Sequence, residues 1–267
     1  QQRRSLSGAI GTVDTDEAFK TQVTNAAEAL QGRVAGVQVT SGGGPGAAPV
    51  IRIRGYSTTN DNSPLYVIDG IQTTDPNVMR DINPRDIENI SVLKDGSAAI
   101  YGARASNGVS VVTTKKGNYN QANTLSIDAS YGISEVTRVP DMLNLQQHAD
   151  MTWQSILNDG NTPSHPQYGS GTTPSIPIFL NVPMPSGAEY EGAGAKVAVP
   201  NGTSWFDELF DQAAVSNVSV QASGGSEQGK YLLSVNYLNQ EGVQIHTGFE
   251  RAGARLNSEF KLSLIHI

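Results

Sequence analysis

The sequence predicts a chain in two parts, a compact α+β region followed by the opening strands of an antiparallel sheet. Three observations predict this. Short apolar runs punctuated by Gly and Pro crowd the chain up to Gly117. A strict two-residue alternation takes over at Thr124 and returns three more times before the end. Between the first and second of these alternating segments, residues 135–215 hold 8 of the 13 prolines and 9 acidic against 2 basic residues, which marks a long irregular excursion with two helical patches. Charge shifts at the same boundary: residues 1–116 carry 12 Lys and Arg against 11 Asp and Glu, and residues 117–267 carry 6 against 14.

The elements of the first part follow from local signals. Asn25 caps a short helix over Ala26–Gln31, with Glu28 placed for a capping box and Gly32 and Gly36 ending it. Strands are expected at Val37–Thr40, Val50–Arg54 and Leu65–Ile68. The first is followed by Gly42-Gly43-Gly44-Pro45-Gly46 and the third by Asp69-Gly70. Pro84 opens a brief helix leading into Ile90–Leu93. Ser97–Tyr101 reads as one helical turn stopped by Gly102, and Val109–Thr114 as a β-branched strand closed by Lys115-Lys116-Gly117.

In the second part, Leu125, Ile127, Ala129, Tyr131 and Ile133 alternate with polar residues and glycine over eleven residues. That is roughly the 9–11 residues of one membrane-spanning strand. Ser216–Ser223, Lys230–Gln240 and Arg251–Leu262 repeat the pattern, with a short turn at Gly224–Gly229. A soluble, half-exposed sheet would alternate in the same way, so the pattern alone leaves both readings open. Four strands cannot close a membrane barrel, for which about eight is the minimum.

Composition excludes several function classes. A net charge of −7 argues against a nucleic-acid partner, which requires a basic stripe. No cysteine means no disulfide, thiolate metal site or Cys nucleophile. No apolar run reaches the length of a transmembrane helix, and Gln1 opens a polar stretch rather than a signal peptide.

The chemistry-bearing motifs are weak. Gly42–Gly46 resembles a phosphate loop, yet Ala47-Ala48-Pro49 follows where Lys and Ser/Thr are needed, so a flexible hairpin tip is the expectation. His148, His165, His246 and His266 lack metal-ligand spacing, and no metal or cofactor is expected. No Gly-x-Ser-x-Gly elbow exists. Asp207-Glu208 are adjacent carboxylates, the one motif for a secreted β-rich hydrolase, and adjacency fixes no glycosidase geometry. Arg52 and Arg54 are expected on one strand face, alternating with Ile51 and Ile53. Trp153, Tyr168, Tyr190, Trp205 and Phe206 punctuate the acidic excursion; they suit either stacking on sugars or a partner protein, or pinning the loop.

Several runs, taken in order, carry a resemblance. They are Gly32-Arg-Val-Ala-Gly-Val-Gln-Val39, Val50-Ile-Arg-Ile-Arg-Gly55, Pro64-Leu-Tyr-Val-Ile-Asp-Gly70, Ile82-Asn-Pro-Arg-Asp-Ile-Glu-Asn-Ile-Ser-Val-Leu-Lys94, Ala99-Ile-Tyr-Gly-Ala-Arg-Ala-Ser-Asn-Gly-Val109 and Thr113-Thr-Lys-Lys-Gly117. Together they resemble the plug domain of TonB-dependent outer-membrane transporters, in the spelling of the SusC/RagA branch of Bacteroidota nutrient uptake. Trp205-Phe-Asp-Glu-Leu-Phe210, Gly224-Gly-Ser-Glu227 and Tyr237-Leu-Asn-Gln-Glu-Gly242 resemble the first barrel strands of the same branch.

The resemblance implies a plug over residues 1–120 and an incomplete β-barrel over 121–267, of the about 22 strands such transporters have, with 135–215 as a long extracellular loop. It also implies a signal peptide, a small β-sandwich extension and a TonB box ahead of the plug, so the chain is expected to begin about where the box ends; Ser263–Ile267 does not match the family. The outward plug tips, implied to face substrate, would carry Gly42, Gly43, Gly44, Gly46, Thr73, Thr74, Asp75 and Asn77. The family motif and plug–barrel contacts would involve Arg52, Arg54, Gly55, Asp69, Gly70, Lys94, Tyr101, Gly102, Arg104 and Gly108. The implied partners are TonB, a SusD-like surface lipoprotein, an oligosaccharide or oligopeptide substrate and outer-membrane lipid of a Gram-negative cell. The implied activity is gated import rather than catalysis, with a signal-transducing receptor of the same architecture as the alternative.

Overall fold

The computed structural model describes residues 10–13, 23–59, 61–166, 168–176, 179–182, 195–198 and 203–261. Tyr190, His266 and Ser263–Ile267 lie outside them. The strands run in chain order β1 Ile10–Val13, β2 Val37–Thr40, β3 Val50–Ile53, β4 Leu65–Ile68, β5 Ile71–Thr73, β6 Ile87–Leu93, β7 Val109–Thr114 and β8 Thr124–Ser134. Short pairs β9 Ser164–His165 with β10 Gly169–Ser170, and β11 Phe179–Val182 with β12 Ala195–Ala198, precede β13 Ala213–Gly225, β14 Gly229–Glu241 and β15 Gly248–Phe260.

Contacts divide the chain into two units, one of residues 1–135 and 212–267, the other Val136–Asp211. In the first unit, β1-β6-β7-β4-β5 form a mixed sheet in which only β4 and β7 run parallel. β2 and β3 form a separate hairpin. The α+β core gathers Leu30, Ile51, Tyr66, Met79, Ile87, Ile90, Val92 and Val112, with a satellite of Leu65, Val67, Ala98 and Val109. Each such side chain contributes roughly 1.5–3 kcal/mol by leaving water.

Local signals account for most elements. The Asn25 side chain accepts from the Ala27 and Glu28 amides as a cap does, while the Glu28 carboxylate accepts from the Thr24 amide at 2.9 Å and from Asn25 Nδ2 at 2.8 Å, where the expected box has it on the Asn25 amide. It caps only a single 3₁₀ turn, Glu28–Leu30, because Gly32 turns left-handed at φ 71°. Strand β3 ends at Ile53, one residue earlier than expected. Arg54 sits at φ 58° and its amide donates to Gly36 O, which breaks the alternation that would have put Arg52 and Arg54 on one face. Strand β6 begins at Ile87, three residues earlier than expected, because Asn83 and Pro84 cap a 3₁₀ turn that delivers the chain directly into the sheet. The short edge strands β1 and β5 carry too few residues for a periodic signal.

The second sheet is an antiparallel meander, β8-β13-β14-β15, whose two outer edges are unpaired among the described residues. In sequence the second unit lies between β8 and β13. Its main helix, Leu145–Asn158, is capped by Asn144 and Gln147 and buries Ala149 and Trp153 around Tyr168.

Candidate functional site

Register sorts the side chains of the four-stranded wall into two faces, because residues directly opposite in a ladder share a side. One row is Ile127, Val220, Val235 and Ala254; its neighbours are Leu125, Ala222, Leu233 and Leu256 on one side and Ala129, Val218, Tyr237 and Ala252 on the other. This face is open, with Leu125 67% and Ile127 65% exposed. The opposite face carries Ser126, Gln221, Ser234 and Arg255 in one row and Asp128, Ser219, Asn236 and Gly253 in the next. Ser219, Ser234 and Asn236 are buried there, beneath the α+β layer. A soluble half-buried sheet does the reverse. Apolar residues on the open face and polar residues on the covered one is the arrangement expected of a transmembrane barrel wall.

The seam between the two layers draws mostly on neutral side-chain donors, some of them meeting a buried carboxylate. Asp86, buried in the 3₁₀ turn Pro84–Asp86, accepts from Ser234 Oγ at 2.5 Å and from Gln221 Nε2 at 2.9 Å. Gln221 Nε2 also donates to Arg85 O at 3.1 Å, and Asn83 Nδ2 donates to Ser219 Oγ at 3.2 Å. Further along, Asp69 accepts from the Thr114 amide and hydroxyl and faces Arg255 at 3.5 Å, while Asn257 Nδ2 donates to Lys115 O at 2.8 Å. The ion pairs across the seam, Arg85–Asp128 at 3.8 Å and Asp69–Arg255, are long and partly wet. A cavity of about 180 Å³ opens beside Thr24, Asn83, Arg85, Asn217 and Gln240. The buried Asn217 Oδ1 has no hydrogen-bond partner, and the polar lining has room for ordered water.

The wall has two unlike ends. At one, the turn Ser226–Gln228 is short and the linker from the α+β layer docks on it. The Asn120 amide donates to Ser226 O, and the Tyr119 ring lies against Lys230 and Lys261 at 4.7 and 4.0 Å while its hydroxyl donates to Glu259. Gly117 sits so close to the Tyr231 backbone that a Cβ would collide with it. At the other end the chain leaves after β8 and returns at β13, and the turn after β14 meets the β2–β3 loop: Gly46 lies on the Phe249 ring and Pro45 against Gly242.

The expected site residues are distributed as follows. Gly42, Gly43 and Gly44 are exposed in the β2–β3 loop, while Gly46 is half-buried at Phe249. Thr73, Thr74, Asp75 and Asn77 form a small capped loop, with Thr73 Oγ1 accepting from the Asp75 amide and Asp75 from the Asn77 amide. Arg80, at the end of that loop's helix Val78–Asp81, reaches Gly46 O at 3.5 Å, so the two loops converge at this end. Of the charged motif residues, Asp69 contacts the described wall. Arg54 pairs with Asp95 at 2.6 Å, Arg52 lies over the Tyr56 ring at 4.5 Å, Lys94 donates to Ala35 O, and Arg104 is exposed. Tyr101 packs on the satellite core; Gly55, Gly70, Gly102 and Gly108 all have positive φ, and at Gly108 a Cβ would also strike Ile53.

The seam residues Asp86, Gln221, Ser234 and Phe249 escape sequence reasoning. Phe249 alone left a trace, since it falls on the same face as Arg251 and Arg255, an aromatic ring among polar side chains. In the second unit Trp153 and Tyr168 are buried, with His148 Nδ1 3.0 Å from the Tyr168 hydroxyl and His165 stacked on its ring, so these aromatics pin the loop. Trp205 is exposed beside Phe206 and Phe210, which stack on each other. Asp207 and Glu208 lie exposed in the first turn of the helix Trp205–Leu209 and form no convergent pair. Among the described residues no cluster of three or more potential ligands could hold a metal, and no helix is long and apolar enough to cross a membrane.

Residues 2–109 match the family described as the TonB-dependent receptor plug domain. The chain is 36% identical over 268 residues to TonB-dependent receptor P26 of Formosa agariphila, covering 98% of this chain and 24% of that protein. It is 32% identical over 267 residues to TonB-dependent receptor SusC of Bacteroides thetaiotaomicron, covering 96% of this chain and 23% of that one. Among solved structures it superposes on the RagAB peptide importer in its open-open state with a TM-score of 0.76 at 30% identity, over 98% of this chain and 29% of the other. The chain thus spans about a quarter of the length of the curated relatives it matches.

Proposed function

Because this chain is the plug domain and opening barrel strands of a SusC/RagA-type TonB-dependent receptor, with the barrel incomplete, we propose that it serves TonB-driven import of an oligomeric nutrient, an oligosaccharide or oligopeptide, across the outer membrane of a Gram-negative cell. The observation that carries the reading is the inverted wall: apolar rows face outward and a plug seals the polar face. Leu125, Ile127, Leu233 and Leu256, exposed together on one face, suit contact with lipid, and edges unpaired among the described residues suit a wall that further strands complete.

In this reading the plug occupies residues 1–120, and the barrel starts at 121 with residues 135–215 as its first extracellular excursion. The Ser226–Gln228 turn faces the periplasm, as short turns do in such barrels. The tips around Gly42–Gly46 and Thr73–Asn77 face the outside and meet substrate, which a SusD-like lipoprotein caps. TonB, pulling from the periplasmic side ahead of β1, shifts the plug and opens a path. A seam that rests mostly on neutral donors, with its ion pairs partly wet, suits this motion, since parting a buried ion pair costs about 3–5 kcal/mol.

Uptake of labelled oligosaccharides and oligopeptides by cells expressing the full-length protein is the test. Uptake that stops when the proton gradient is collapsed or TonB is deleted, with the protein in the outer-membrane fraction, is the expected result. Recovery of the full-length protein in the soluble cytoplasm overturns the reading.

A further inference from the structure

We propose that Phe249 is the positioning residue of the first plug tip, gripping Gly46 so that the tip is held to the β14–β15 turn. The proposal rests on the reading above that this tip faces substrate. Strand β15 is extended, so Phe249 and Arg251 project from the same face, two residues apart. Arg251 donates to the carbonyl oxygens of Arg80 and Thr24. The Phe249 ring closes on Gly46, where a Cβ would collide with its Cγ and Cδ2 atoms. Gly46 also has φ 63°, so glycine is required there both by conformation and by the approach of the ring.

The Arg80 guanidinium completes the grip. It stacks 5.6 Å from the Phe249 centroid and reaches back to Gly46 O. Pro45, next in the tip, leaves no room for a Cβ at Gly242 in the turn after β14. One barrel strand therefore holds both plug tips, through a ring for the first and the Arg80 carbonyl for the second. The exposed glycines Gly42–Gly44 beyond the grip have no comparable contact with the wall, and Gly43 and Gly44 have nothing within Cβ range at all. The part of the tip free of the wall is thus short and is anchored at Gly46. A ligand or lid that displaces the turn Gly242–Thr247 moves the anchor with it.

A thiol placed at the tip reads this directly. The chain has no cysteine, and any elsewhere in the full-length protein is replaced by serine. Gly44→Cys sits in open space and reports the tip; Ile100→Cys, on the plug away from the grip, reports loosening of the whole plug. Maleimide labelling in detergent, without substrate, is expected to accelerate several-fold at position 44 when Phe249→Ala is added, to stay at the parent rate with Phe249→Tyr, and to be unchanged at position 100. Equal labelling at position 44 in all backgrounds overturns the proposal, as does an equal rise at both positions. If Phe249→Ala fails to assemble, Phe249→Leu keeps the bulk without the flat ring and is judged by the same outcomes. Because no substrate is present, these outcomes stand apart from any failure of the import assay.

Discussion

Asp86 and Ser234 meet across the seam, the carboxylate of the plug accepting the hydroxyl proton of the wall at 2.5 Å in a fully buried setting. Gln221 completes the arrangement at 2.9 Å. A buried carboxylate with neutral donors on the opposite layer acts as a seat for the plug.

Asp86→Ala is expected to unseat it. Ser234 Oγ loses its acceptor and Gln221 keeps only Arg85 O, and a donor stranded in this way costs about 1–3 kcal/mol. Asp86→Asn keeps an acceptor and is expected to cost less. Protease sensitivity of the plug in the purified full-length protein, ranked across parent, Asn and Ala forms, checks the order; equal sensitivity contradicts it.

The outer face distinguishes lipid from water. Val235 sits in the central apolar row between Val220 and Ala254. Val235→Arg is expected to cost about 2–4 kcal/mol if the row lies near the bilayer midplane. On a water-facing sheet the same change would be close to neutral. Folding yield into lipid vesicles against that of the parent is the measurement.

Gly117→Ala is expected to hinder docking of the linker, because the new methyl would occupy the place of the Tyr231 backbone, and backbone cannot swing aside as a side chain does. Overpacking of this kind costs about 1–3 kcal/mol. A lower thermal midpoint for the Ala form, with Gly96→Ala as an unhindered comparison, is the expected outcome.

Tyr66 sets an alkaline limit on the plug. Burial pushes its phenol up to about 12, with the charges of Asp61 and Asp75 adding to the effect. The folded state therefore holds its proton more tightly than the unfolded chain, whose tyrosine titrates near 10. Stability is full below pH 10 and falls as pH rises from 10 to 12, by about 2–3 kcal/mol in total. Tyr66→Phe is expected to flatten this fall in denaturation curves taken at pH 9 and 11.

What could be read from sequence divides along a physical line. Strands β8, β13, β14 and β15 announce themselves because an open apolar face and a covered polar one impose a two-residue period that survives without any tertiary information. The Asn25–Glu28 cap and the Asn83-Pro84 turn are equally legible, since their partners lie within three residues. Arg54 misled because a left-handed residue at a strand's end leaves no mark in hydropathy. The seam stayed invisible for another reason. Asp86 and Ser234 are 148 positions apart, and a serine on a polar strand face looks the same whether it meets water or a carboxylate.

The neutral donors of the seam have one more consequence. Water offers the same donors and acceptors as Ser219, Gln221 and Ser234, so each bond can be exchanged for a solvent molecule in turn as the layers part. A stopper seated this way comes loose stepwise, like a zip wetted from one end. Its hold on Asp86 is also little altered by the salinity of the surroundings, since a buried charge is screened far less than an exposed one.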